Sequence, residues 1–371
     1  MQPSNDIVPI QSSGIGATLQ ALTARLDFLG YAEFCASFNP LSPRLDRWVE
    51  LTDKAPTRLQ PLLSLFLLGD TVALEETRCL LGGIVQPLVD AGLICHLPNN
   101  MVALPNLILL PIASHWLFVQ RPQVNPTLYF GDDSMALMLR IRPRHTDRCL
   151  DLCAGPGIQS LQCASTAQHV TAVEVNPVAA ELARLNVIMN QRSGRIDVVC
   201  GSLYSAVRNQ RFDLIVANPP LLPFPEDQPY PFVGHGGFDG LRVTRRILNG
   251  LPEALTTGGR AQLIGTCLSN GSRPLCDGDL TRIAASADCD ILMTIVSHKE
   301  LRPGTPYFDG LVFTASSRVK DGSQVATALE AHLSGLGATH LASYFLHVEQ
   351  GRGSLAIQDL SSAGSEGLWY V

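Results

Sequence analysis

The chain contains no Cys-x-x-Cys pair among its ten cysteines, and its nine histidines form no cluster at metal-ligand spacing. These absences argue against the common structural zinc sites, and no metal is expected. No uninterrupted run of about 18 apolar residues occurs, so no membrane span or membrane partner is expected. The N-terminus, Met-Gln-Pro-Ser-Asn-Asp-Ile-Val, lacks a basic stretch followed by an apolar run, so no signal peptide is read. An excess of positive charge is also missing. Lys and Arg number 27 against 33 Asp and Glu, a net charge of −6, which gives no footprint for nucleic acid. The scattered cysteines read as small buried hydrophobes in a reducing cytoplasm.

What is present is a well-cored globular chain of 371 residues, 46% hydrophobic and 16% charged. Its length suggests two or three domains. In the front third, residues 15–37 read as one helix. The apolar segment 58–68 stops at Gly69-Asp70, and helices are expected over 73–81 and 85–91, with Gly92 as a stop. Two short strands, 93–97 and 101–104, flank Pro-Asn-Asn, a good turn. Helices followed by a small hairpin give the order of a winged helix. Residues 1–126 hold seven Lys and Arg against ten Asp and Glu, a balance of −3. The expected third helix, Val85-Gln-Pro-Leu-Val-Asp-Ala, has no basic residue at all. Nucleic-acid readout rests on phosphate neutralisation, so a structural or substrate-docking role is the better expectation. Pro105, Pro111, Pro122 and Pro126 mark a connecting stretch.

The middle of the chain is a series of apolar strands, each ending in a polar or glycine-rich turn. Residues 148–153 lead through Asp151 into Ala154-Gly155-Pro156-Gly157 and then a helix. Glycine allows close approach of backbone to ligand, and a strand, a glycine turn and a helix together form a nucleoside-binding context. Residues 170–175 form the next strand. It carries Glu174 near its end, where an acid can accept both ribose hydroxyls, with Val175 beside it. Residues 196–200 exit through Gly201-Ser202-Leu203. Residues 212–217 deliver Asn218-Pro219-Pro220-Leu221. An Asn side-chain carbonyl and a backbone carbonyl of the Pro pair can together accept both hydrogens of an –NH2 group and aim its lone pair. Upstream, Tyr129-Phe130-Gly131-Asp132-Asp133-Ser134 precedes a helix that the acids and Ser134 suit as caps. Downstream, the prolines of 223–231 lead to Gly234-His235-Gly236-Gly237-Phe238-Asp239-Gly240-Leu241, where Asp239 suits a helix cap. Further strands are expected at 261–266, 291–297 and 311–316, with Thr305-Pro306-Tyr307-Phe308-Asp309 as a turn. A C-terminal hairpin is expected from 344–349 and 354–359, and the tail 361–366 is flexible in composition.

Over residues 127–318 these motifs resemble a class I methyltransferase that uses S-adenosylmethionine (SAM). Asn-Pro-Pro resembles the signature of N-methyltransferases that act on planar nitrogen: protein glutamine, or the exocyclic amines of adenine and guanine. Gly-Gly-x-Asp-Gly-Leu resembles the glutamine N5 group. The resemblance implies a Rossmann-like α/β fold with a mainly parallel seven-stranded sheet. A mainly helical, winged-helix-like domain (1–126) precedes it, and a small accessory extension (319–371) follows. It also implies a set of roles. Phe130, Asp132, Asp151, Ala154, Gly155, Gly157, Glu174, Val175, Ser202, Leu203 and Asn218 would contact SAM. Asn218, Pro219 and Pro220 would hold the acceptor nitrogen, and Leu221, Phe224 and His235 would meet the substrate. Two positions depart from the family. Ser202 stands where an Asp usually receives the adenine amino group. Leu221 stands where an aromatic stacks on the acceptor, with Phe224 a possible substitute. The expected acceptor is a small-molecule or peptide-like amide or amine. A protein glutamine or RNA base, and a SAM-sensing regulator without catalysis, are the alternatives. Oligomeric state is left open.

Overall fold

The computed structural model describes residues 14–38, 45–319, 322–362 and 367–371. The N-terminal octapeptide and residues 363–366 of the tail lie outside them. In the front third α1 (Gly16–Leu29), α2 (Tyr31–Cys35), α3 (Leu45–Thr52) and a single turn α4 (Gln60–Leu62) precede β1 (Val72–Ala73), α5 (Leu74–Leu81), α6 (Val85–Asp90), β2 (Cys95–Leu97) and β3 (Met101–Ala103). The continuous helix expected over 15–37 is broken. Gly30 adopts φ 86°, and its N–H closes back on Asp27 and Leu26, ending α1 before α2 begins. β1, β3 and β2 form a three-stranded antiparallel sheet.

The stretch expected only to connect holds a second hairpin, β4 (Leu107–Ile112) and β5 (His115–Gln120). Pro111 concealed it. In a sheet of two strands a residue without an N–H can face outward, so proline is tolerated. The hairpin is bonded to the helix α9 (Pro177–Met189) and its C-cap. Asn186 Oδ1 accepts from Phe118 N (2.8 Å), and its Nδ2 donates to the carbonyls of Phe118 and Pro156 (2.9 Å each). Asn190 pairs with the backbone of Trp116 in the same two-way manner.

After α7 (Asp132–Arg140) the strands β6 (Arg148–Leu152), β7 (His169–Glu174), β8 (Ile196–Cys200) and β9 (Phe212–Ala217) alternate with α8 (Ile158–Ala164) and α9. They are followed by α10 (Arg242–Ala254), β10 (Leu255–Ser269), α11 (Asp277–Ser286), β11 (Cys289–Glu300), α12 (Pro306–Ser316), α13 (Ser323–Gly335), β12 (His340–Gln350) and β13 (Leu355–Asp359). The main sheet has eight strands, not seven, in the order β13-β11-β12-β10-β9-β6-β7-β8. All neighbours run parallel except around β12, which is antiparallel to both β10 and β11. The strand order reverses between β6 and β9, and the crevice at the carboxyl ends there is where α/β sheets bind ligands.

Two expectations at the C-terminal end are corrected. Residues 311–316 are helical, because Pro306 opens α12 at its first turn and the buried residues Phe308, Leu311 and Ala315 recur at helical spacing while Phe313 is 64% exposed. The segment 319–371 is not an accessory to the sheet. β12 lies inside it, paired from Arg260↔Glu349 to Ser269↔His340 with β10, and β13 adds to β11 instead of forming a hairpin with β12. The front third is continuous with the rest as well. One apolar core runs from Leu19 and Leu22 through the β4–β5 hairpin to Leu185 and Leu214.

Candidate functional site

Two adjoining cavities open at the carboxyl ends of β6, β7 and β9. The first, of about 360 Å3, is lined by Ala154, Gly155, Glu174, Val175, Gly201, Ser202, Leu203, Asn218 and Pro220, with Tyr129, Ser134, Gln159, Asn176 and His235. The second, of about 330 Å3, is lined by Tyr129, Asp132, Asp133, Asn218, Pro219, Leu221, Tyr230, Tyr307 and Trp369 among others. Asn218 and Tyr129 belong to both.

The first cavity is built by backbone closure around one carboxylate. Glu174 Oε2 accepts from Gly155 N (2.9 Å) and Oε1 from Asn176 N (2.8 Å). Each oxygen keeps a further lone pair for a ligand hydroxyl. Gly155 takes φ 53° in the turn after β6. Its neighbour Pro156 is held by Asn186, so the hairpin of the front third braces the turn. With apolar walls at Val175, Leu203 and Ala179, this acceptor pair and glycine cradle fit the adenosyl half of SAM, a flat base on a ribose diol.

Not every expected contact lies on this wall. Phe130 points away, into a small cavity with Cys35, Phe38 and Trp48, because its neighbour Tyr129 takes the pocket face. Asp132 faces the second cavity, not the first. Gly157 serves the backbone: its φ of 92°, in the left-handed region that favours glycine, starts α8. Asp151 stands behind the turn, 1% exposed. Its Oδ2 accepts from Ser160 Oγ at 2.6 Å, while Oδ1 has no partner. Burial pushes its carboxyl up to about 7, against the pull of Ser160. Cys200, expected inside a strand core, ends β8 exposed.

The second cavity begins at Asn218. Its Nδ2 donates to Ser134 Oγ (3.3 Å), beside the Asp133 carboxylate. This orients the amide, and leaves Oδ1 buried with no partner. Asp133 is 4% exposed, and burial followed by repulsion from Asp132 pushes its carboxyl up to about 7. The turn 218–221 is held from below by the glycine loop. Leu222 N donates to Gly234 O, Gly236 N to Leu222 O and Phe224 N to Gly237 O. Gly240, at φ 90°, lies so close that a Cβ would stand 2.7 Å from the carbonyls of Leu221 and Thr266. Asp239 does not cap α10, whose N-cap is Leu241 with no side-chain bond; it closes the turn ahead of the helix, accepting from Leu241 N at 3.1 Å, and bonds Arg245. Leu221 is on the wall of the second cavity. Phe224 is not. It is fully buried beneath the loop, its ring 4.6 Å from that of Tyr230. His235 faces the first cavity, not the second. Its Nδ1 accepts from Gly237 N (3.0 Å), and burial followed by the Arg242 charge lowers its pKa, so the ring is neutral. The flat surfaces missing at Leu221 come from Tyr129, Tyr230, Tyr307 and Trp369. Ser134 and Tyr129 were legible as neighbours of Asp132 and Asp133. Trp369 carried no local signal.

A mainly parallel sheet with a nucleoside cavity at its switch point defines the cofactor half of a class I methyltransferase. The comparisons agree. Residues 118–267 match the methyltransferase small domain model. A putative protein N5-glutamine methyltransferase of Methanocaldococcus jannaschii is 30% identical over 153 residues, covering 40% of this chain and 76% of that protein. The ribosomal protein uL3 glutamine methyltransferase of Bradyrhizobium diazoefficiens is 37% identical over 142 residues, 35% of this chain and 44% of that one. A tRNA1(Val) (adenine(37)-N6)-methyltransferase of Porphyromonas gingivalis is 42% identical over 85 residues, 21% and 32% of the two chains. The chain thus spans less than half of the length of the latter two relatives. Among solved structures, the M. jannaschii tRNA m1G37 methyltransferase superposes with a TM-score of 0.39 at 12% identity, covering 66% of this chain and 57% of that one. The chain belongs to the methyltransferase small domain family of class I SAM-dependent methyltransferases, and SAM is its cofactor.

Proposed function

We propose that the chain transfers the SAM methyl group to a planar nitrogen held by Asn218, on a small-molecule or peptide-like acceptor. One observation carries the reading: Asn218 Oδ1 is buried and without a partner at the junction of the two cavities, while its Nδ2 is tied to Ser134. A buried acceptor left unmade costs about 1–3 kcal/mol, so this oxygen is poised for a donor that the chain itself does not supply. An –NH2 group in the second cavity would supply it. Glu174 would hold the ribose, the 154–157 turn would sit under the cofactor, and Pro219 and Pro220 would shape the passage between the cavities. Bound SAM supplies the electrophilic methyl. The residues here orient the nitrogen, exclude water and accept its hydrogens, so positioning carries most of the rate.

Relatives named as glutamine methyltransferases support an amide acceptor, and protein glutamine remains the second reading. For the front third we propose a winged-helix-like unit that docks or braces rather than reads nucleic acid. No Lys or Arg lies on α6, and the β4–β5 hairpin supports the cofactor turn through Asn186. Cytoplasmic location is proposed from ten free cysteines. Among the described residues no helix is long and apolar enough to cross a membrane.

The test is Asn218→Ala with labelled SAM and fractionated cell extract. Wild type should label one fraction. The variant should lose at least about 100-fold in rate, as for removal of one oriented donor or acceptor, with SAM affinity by calorimetry unchanged. An active variant would remove the amine-holding role. SAM binding by wild type with no label transferred to any fraction would favour a SAM-sensing regulator.

A further inference from the structure

The walls of the acceptor cavity are chemically one-sided. Four aromatic side chains, Tyr129, Tyr230, Tyr307 and Trp369, surround two adjacent carboxyls, Asp132 and Asp133, and none of the lining residues is Lys or Arg. Among the described residues neither Asp is in an ion pair. Their partners are neutral: Asp132 accepts from Asp133 N, and Asp133 accepts from Ser134 N and Ser134 Oγ. Two desolvated carboxyls side by side without a cation are costly. A phosphate would meet them as like charge, and a neutral amide would leave them uncompensated. A planar cation satisfies every wall at once. It stacks on aromatic faces, forks its N–H groups onto carboxylates, and offers a further N–H to the unpartnered Asn218 Oδ1.

We propose, resting on the reading of Asn218 given above, that the acceptor is a guanidinium group, free in a small molecule or at the end of an arginine-like side chain. In the transfer a nitrogen lone pair forms the new N–CH3 bond and the S–CH3 bond breaks with its electrons left on sulfur. One N–H proton passes to the Asp133 carboxylate and on to water, and the methylated guanidinium keeps its single positive charge. The groups facing Asp133 are Asp132, Tyr129, Ser134 and Asn218, with Tyr230 and Tyr307 also lining the cavity.

The experiment is calorimetry of the full chain saturated with S-adenosylhomocysteine. Two probes of equal shape are titrated: N-acetylarginine amide, which is charged, and N-acetylcitrulline amide, which is not. The arginine probe should bind about tenfold tighter or more, the range for a charge-assisted pair. Its affinity should rise between pH 6 and 8 as Asp133 ionises, while the citrulline probe stays flat. Asp133→Asn should erase the preference and the pH dependence, with its fold checked by circular dichroism; if that variant does not fold, the wild-type pH series decides. With SAM in place of the product, mass spectrometry should find one methyl on the arginine probe. Equal binding of the two probes, or binding of neither, overturns the guanidinium assignment. If a neutral amide from extract is methylated instead, that assignment falls and the methyltransferase reading stands. If SAM binds and nothing is methylated, both fall.

Discussion

At the residue scale the site is governed by a few carboxylates with different surroundings. Glu174 is pinned by two backbone N–H groups and still offers lone pairs to the first cavity. Glu174→Ala should weaken SAM binding by about 1.5–3 kcal/mol, the range for hydrogen bonds to a charged group. Calorimetry checks this, and unchanged affinity would remove the ribose role. Asp151 is a buried carboxyl pushed up to about 7, against an unfolded value of ~3.9. Below ~3.9 it is protonated in both states and costs nothing. As pH rises from there toward about 7 the unfolded chain ionises first, so stability falls by about 1.4 kcal/mol per pH unit over that window. Asp151→Asn removes this term. Its urea midpoint should therefore exceed that of wild type at pH 8 by more than at pH 5, and a constant difference would show that burial does not govern this group.

At the scale of elements, what holds the cofactor turn is the hairpin 107–120 acting through one helix. Asn186 joins β5, α9 and the carbonyl of Pro156 with three buried hydrogen bonds. Asn186→Ala leaves those backbone groups unpaired and should cost at least about 2 kcal/mol in denaturant unfolding. SAM affinity should fall with it, although residue 186 lies on neither cavity wall. Loss of stability with full SAM affinity would separate the hairpin from the site. The strands and turns of 148–220 were legible because each is a short apolar run closed by residues whose backbone demands are local: Gly155, Gly157, Asn176-Pro177, Pro219-Pro220. The hairpin was not, since Pro111 has the same local signature in a linker and in an exposed edge strand, and only its pairing with Trp116 distinguishes them. Residues 311–316 misled for a similar reason. A short apolar run fits either period, and the packing of Phe308, Leu311 and Ala315 against neighbours decides for the helix.

At the scale of the whole molecule the C-terminal segment is built into both the sheet and the second cavity. β12 occupies the middle of one half of the sheet, and Arg260 on β10 forms a buried ion pair with Asp147 (2.8 Å) next to β6. The last residues fold back as well, with Trp369 O accepting from Arg140 and Trp369 and Leu368 walling the second cavity. A chain ended after residue 318 should therefore lose cooperative unfolding and near-ultraviolet circular dichroism, because β10 and β11 would each lose their β12 partner. A folded, SAM-binding truncation would restore an independent domain at 127–318.

The sequence alone determined the cofactor half and the place of the 218–221 turn at the end of its strand, because a strand, a sharp turn and an acid at a strand end are set by neighbours within a few residues. Only the tertiary structure decided which cavity each side chain faces. It turned Phe130 and Phe224 away, put His235 on the cofactor side, and brought Tyr129, Tyr230, Tyr307 and Trp369 around Asp132 and Asp133 in place of the aromatic missing at Leu221. That wall is drawn from segments more than two hundred residues apart, and contacts at such separation follow from how helices and strands pack, which no local pattern of residues encodes.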